Sequence, residues 1–160
     1  MSPVYAEVRD AFFEELYAVA RSDRDVLVLS ADQGAMSLEK FARDIPRQYL
    51  QMGIAEQNMV GVAAGLALTG KKVFVYAIIP FLTLRCLEHI RVDVCSMGLP
   101  VNFIGIGAGY AYNTDGPTHH AVNDIVAAAQ GKADAIFLQL PVVERRDYGA
   151  QIGERQIQHR

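Results

Sequence analysis

Three nearly unbroken apolar runs constrain this chain more than any other feature: VLVLS (26–30), KKVFVYAII (71–79) and PVNFIGIG (100–107). A strand with one wet face alternates apolar and polar residues. A strand that does not alternate is covered on both faces. Helical patterns lie between the runs. Ser2 and Pro3 start the first, and Val4, Val8, Ala11, Phe12, Glu15, Leu16, Val19 and Ala20 continue it at helical spacing to about Arg21. A short helix is expected from Ser37 to Arg43, then a weak strand in YLQMG (49–53). Residues 55–69, 82–97 and 119–130 read as further helices, and DAIFLQL (134–140) as a last strand. Strands alternating with helices predict an α/β three-layer sandwich, its mostly parallel sheet flanked by helices. One domain is expected over residues 1–143, followed by a polar tail over 144–160.

Ligands of such sheets sit beyond the carboxyl ends of the strands. Here those ends lead into ADQG (31–34), GIAEQN (53–58), IIPF (78–81) and GAGYAYNTDGPTHH (107–120), which hold the unusual polar residues. Composition narrows the classes. With 51 % hydrophobic and 21 % charged residues the chain can bury a core and is not disordered. A net charge of −3 without a basic face argues against a nucleic-acid partner. No signal-like N-terminus and no membrane-length apolar run appear, so a soluble cytoplasmic protein is expected, with no membrane partner. Cys86 and Cys95 lack metal-ligand spacing; they are expected as reduced core thiols, with no metal site on this chain.

GIAEQNMVGVAAGLALTG (53–70) contains the main chemical candidate. A first-turn Glu56 complements a helix dipole whatever the function. But the helix behind it is apolar on every side, which requires burial by the sheet and by something else, such as another subunit. Gly61 and Gly65 each cost about 1 kcal/mol in a helix interior and predict a close helix crossing. Glu56 is then a poorly solvated carboxylate, and burial favours its protonated form. A carboxylate that shares a proton near neutral pH suits acid–base work.

GIAEQNMVGVAAGLALTGKKVFVYA (53–77) and DGPTHH (115–120), with VLVLSADQG (26–34) as weaker support, resemble the pyrimidine-binding domain of the transketolase-like, thiamine diphosphate-dependent enzymes over about residues 5–125. The resemblance implies the thiamine diphosphate-binding fold and a role for each matching residue. Glu56 matches the glutamate that hydrogen-bonds N1′ of the cofactor's aminopyrimidine and sets the tautomer that deprotonates C2. Phe81 matches an aromatic that stacks on that ring, with Leu82 and Arg85 as alternatives. His119 matches a histidine on substrate hydroxyls, and Asp115 an acid that reads the hydroxyl beside the donor carbonyl. Asp32 follows the first strand where the family lines the cofactor entrance, although an Asx turn explains it equally well. D-G-P is turn chemistry in any protein, His120 reads as a solvent-facing neighbour, and Arg91 suits a phosphate or a salt bridge.

The family's G-D-G…N diphosphate and magnesium motif does not occur in this chain. The resemblance therefore implies thiamine diphosphate with Mg²⁺ shared with a separate diphosphate-binding subunit, in a homodimer or heterotetramer acting on sugar phosphates. The expected function is two-carbon ketol transfer by a split transketolase-like enzyme. The alternatives are a truncated module that only dimerises or regulates, motivated by an unalignable end after residue 125, and a β-subunit-like component of a 2-oxo acid dehydrogenase.

Overall fold

A computed structural model describes residues 8–123 and the backbone of 136–140. The flanking segments, including most of the predicted 119–130 helix and the 144–160 tail, lie outside the described residues. Five strands form one parallel sheet in the order β2-β1-β3-β4-β5: β1 (Val26–Ser30), β2 (Tyr49–Gln51), β3 (Lys72–Ile78), β4 (Val101–Ile106) and β5 (Ile136–Leu140). Successive side chains of a strand point to opposite faces. Val26 and Val28 accordingly pack with Phe13, Leu16, Leu38 and Phe41 of α1 (Val8–Ser22) and α2 (Met36–Asp44). Leu27 and Leu29 pack on the other face with Met59, Val60, Ala63 and Ala67 of α3 (Glu56–Leu68). Every residue of β1 is buried, as its lack of alternation requires. The α/β three-layer fold follows.

The corner between α1, β1 and β2 is tied by one side chain. Gln48 Nε2 lies 2.9 Å from the carbonyl oxygens of Ala20, Asp23 and Val26. Gln48 is 8 % exposed, so water cannot readily replace these bonds. Gln48→Ala is expected to cost about 2–4 kcal/mol by stranding carbonyls that each prefer a donor. Urea unfolding reads this directly, and a change below about 0.5 kcal/mol would mean the carbonyls are satisfied otherwise.

Two expectations need correction, and a third finds no neighbour within this chain. The single helix over 82–97 is instead α4 (Ile79–Thr83), α5 (Leu87–His89) and a π-helical stretch Ile90–Cys95. Pro80 starts the helical path early, and Thr83 Oγ1 donates back to the Ile79 carbonyl at 2.8 Å, a bond that bends helices. Ser96 closes the π turn through its N–H and hydroxyl on the Arg91 carbonyl. Residues 117–119 form one 3₁₀ turn rather than starting a helix, and Ala121 then pairs with Gly109 as an antiparallel bridge. Finally, a Cβ added at Gly61 or Gly65 would meet nothing within 4 Å among the described residues. The helix turns Glu56, Met59, Val60, Ala63, Ala64 and Ala67 inward and its glycines outward, with Leu68 59 % exposed.

Candidate functional site

β3 and β4 end side by side, and the segments leaving them meet the start of α3 in one cluster of side chains. β4 carries Gly105 where a Cβ would lie 2.4 Å from Ile79 Cγ1. Only a glycine lets α4 begin that close to the strand, and α4 brings Phe81 to the sheet's carboxyl edge. Gly107, with φ +87°, turns the chain out of β4. Its missing side chain is where the Tyr112 ring packs, since a Cβ there would lie 2.3 Å from Tyr112 Cε2. The loop that follows closes on itself: Gly109 N–H donates to Ala121 O at 3.2 Å and Ala121 N–H to Gly109 O at 2.8 Å.

Glu56 is the first residue of α3 and is 4 % exposed, so its predicted burial holds. It is not alone there. Arg85 Nη1 donates to Glu56 Oε2 at 2.6 Å, and the Arg85 guanidinium carbon lies 4.3 Å from the Phe81 ring centroid. Gln57 Nε2 donates to the Arg85 carbonyl at 3.0 Å. In the same cluster the His119 ring meets Phe81 edge-on, with centroids 5.0 Å apart, and lies 6.0 Å from Tyr112. Thr118 Oγ1 is 3.0 Å from His119 Nδ1. Glu56, Arg85, Phe81, His119 and Tyr112 thus form a continuous chain of contacts.

Of the predicted site residues, Glu56, Phe81 and His119 are brought together. Leu82 is fully buried in the core, whereas Phe81 and the other alternative, Arg85, lie against each other beside Glu56. Asp115 is exposed on the same loop, four positions before His119, with its N–H donating to Tyr112 O. Asp32 stands at the same sheet edge, exposed, with no side-chain hydrogen bond or ion pair among the described residues. His120 is half-buried against Tyr110, centroids 4.9 Å apart, and not solvent-facing as expected. Sequence reasoning missed Tyr112, Gln57 and the pairing role of Arg85. The i,i+4 spacing of Phe81 and Arg85 on a helical path was the available signal.

Cys86 lies beneath the cluster, its Sγ donating to the Phe81 carbonyl at 3.3 Å. Burial first, and the nearby Glu56 carboxylate second, push its thiol up to about 12. It is an inert packing group, and Cys95 is likewise unpaired, in line with the expected reduced thiols. Among the described residues no group of three or more His, Cys, Asp or Glu could hold a metal ion, and no helix is long and apolar enough to cross a membrane.

A parallel α/β sheet whose carboxyl edge gathers a buried acid, an aromatic face and a loop histidine belongs to the open α/β class, in which ligands sit at that edge. Comparison with known proteins narrows this. Residues 5–130 match the family described as transketolase, pyrimidine binding domain. The chain belongs to that family.

It is 41 % identical over 118 residues to an apulose-4-phosphate transketolase subunit from Phocaeicola vulgatus, covering 73 % of this chain and 38 % of that protein. It is 36 % identical over 126 residues to a putative transketolase C-terminal section from Methanocaldococcus jannaschii, covering 78 % of this chain and 40 % of that one. Among solved structures, a split-gene transketolase, described as an inactive β4 tetramer, superposes with a TM-score of 0.67 at 26 % identity, covering 84 % of this chain and 51 % of that one. The chain therefore spans about two-fifths of the length of these curated relatives.

Proposed function

We propose that the chain supplies the pyrimidine-binding side of a split transketolase-like enzyme, which moves a two-carbon ketol unit between sugar phosphates. In this reading thiamine diphosphate and Mg²⁺ are shared with a separate diphosphate-binding chain. The observation that carries it is the flat space between Glu56 and Phe81. A planar cation, the Arg85 guanidinium, already lies against the Phe81 face and bonds the buried carboxylate. An aminopyrimidine makes the same demands: an aromatic face to stack on and an acid at a ring nitrogen. The residues fit the ring end of the cofactor. They do not fit its diphosphate end, because no acidic cluster for the metal exists among the described residues.

When bound, the cofactor supplies a nucleophilic thiazolium carbon for attack on a ketose carbonyl. Glu56 holds the hydrogen bond at N1′ and exchanges the proton there. Phe81 fixes the plane of the ring. His119, standing edge-on to Phe81, reaches hydroxyls of a sugar lying above it, and Asp115 reads the hydroxyl beside the carbonyl from the same loop. Asp32 lines the entrance. Relatives named as a transketolase subunit and as a C-terminal section support division of the enzyme between two chains, and so does the β4 assembly described as inactive.

Calorimetric titration of thiamine diphosphate with Mg²⁺ tests the reading. Saturable binding is expected when a separate diphosphate-binding chain is present, and much weaker binding to this chain alone. A mixture that assembles on a sizing column yet binds no cofactor would refute it.

A further inference from the structure

We infer that Arg85 is a removable internal occupant of the seat between Glu56 and Phe81, and that a flat cationic ligand enters by displacing its guanidinium. The inference rests on the proposed function only for the identity of the entering ring.

The guanidinium is held lightly. It has five N–H donors, and among the described residues it uses one, on Glu56 Oε2. Its other contact is the Phe81 face. The Arg85 side chain is 39 % exposed against 5 % for that of Glu56, so the arginine has a path into solvent and the carboxylate has none. Departure need not disturb the main chain, because Gln57 anchors the Arg85 carbonyl independently of the side chain.

The same geometry sets which ligands can displace it. A carboxylate this buried is costly without a partner. Arg85 therefore yields only to a group that offers an N–H at Glu56 Oε2, which an aminopyrimidine does once its ring nitrogen has taken a proton from solvent, and the Phe81 face adds the requirement that the group be flat. Neutral rings without such a donor, and anions, meet an occupied seat. An empty site thus keeps its acid neutralised and its aromatic face covered until the right ring arrives. The apparent affinity for that ring is reduced by the fraction of time the arginine stays in place.

The test uses the full chain and three variants: Arg85→Ala, Arg85→Met and the double variant Arg85→Ala with Glu56→Gln. Thermal melts are recorded with and without millimolar guanidinium chloride, far below denaturing levels. Free guanidinium is expected to raise the melting temperature of Arg85→Ala and to leave the wild type and the double variant unmoved. Thiamine, which carries the aminopyrimidine without the diphosphate, is then titrated and followed by NMR. Arg85→Ala is expected to bind it about tenfold more tightly than the wild type.

If Arg85→Ala does not fold, Arg85→Met keeps the stem that packs on Phe81 and serves in both arms. Equal or weaker thiamine binding by the variant overturns the inference, and so does a melting temperature that guanidinium does not raise. If guanidinium restores Arg85→Ala while thiamine binds neither protein, the seat and its occupant stand, and the aminopyrimidine reading of the proposed function falls.

Discussion

Glu56→Gln is expected to lower ketol transfer by the reconstituted two-chain enzyme about 10²–10⁴-fold, the range that a positioned acid–base group supplies. Glutamine matches glutamate in shape and can still hydrogen-bond a ring nitrogen, but it cannot take up or release a proton there. Cofactor affinity should therefore change far less than turnover. Stability should also change little. The substitution removes a charge from a site only 4 % exposed, and the Arg85 partner it releases is exposed enough to be solvated. Turnover of the glutamine variant within about threefold of wild type, with the cofactor bound, would sink the assignment of Glu56 as the proton-exchanging group. Glu56→Ala is the harsher companion, since it also removes the side-chain oxygen that a glutamine keeps for Arg85 and for a ring nitrogen.

Gly107→Ala is expected to cost about 2–6 kcal/mol, a sum of two terms. A side chain at φ +87° is strained by about 1–3 kcal/mol. The added Cβ also meets the Tyr112 ring at 2.3 Å, and overpacking of this kind costs about 1–3 kcal/mol more. For a chain of 160 residues this lowers the melting temperature by roughly 4–24 °C. The terms separate in a double-mutant cycle. In a Tyr112→Ala background the clash disappears, and Gly107→Ala should cost only the backbone term. Additive effects of the two substitutions would show that Tyr112 does not press on Gly107. Because Tyr112 neighbours His119, the single variant should also misplace the histidine over Phe81 and weaken substrate capture in the assembled enzyme.

The fold was legible because non-alternating strands can be satisfied only by cover on both faces, and VLVLS alone announces that. The burial of Glu56 was legible by the same logic, from a helix with no polar stripe. Its partner was not. Arg85 lies 29 residues away, on a path bent by the Thr83 back-bond and by Pro80. A regular helix drawn through 82–97 gives no reason for that arginine to reach Glu56. The outward face of α3 meets no described element of this chain. Two interior glycines signal that something lies close, but periodicity cannot say whether the neighbour belongs to the same chain. The loop histidine and aspartate could be placed at the sheet edge by topology, whereas the packing of Tyr112 into the hollow left by Gly107 depends on one dihedral angle that sequence does not display.

The pair of backbone bonds between Gly109 and Ala121 carries a consequence for how such a protein can diversify. The clasp closes residues 109–121 into one loop that meets the sheet edge through Tyr112 at Gly107 and through His119 at Phe81. Positions within it that make neither contact, such as the exposed Asn113 and Thr114, can vary while the buried acid and its aromatic companion keep their places.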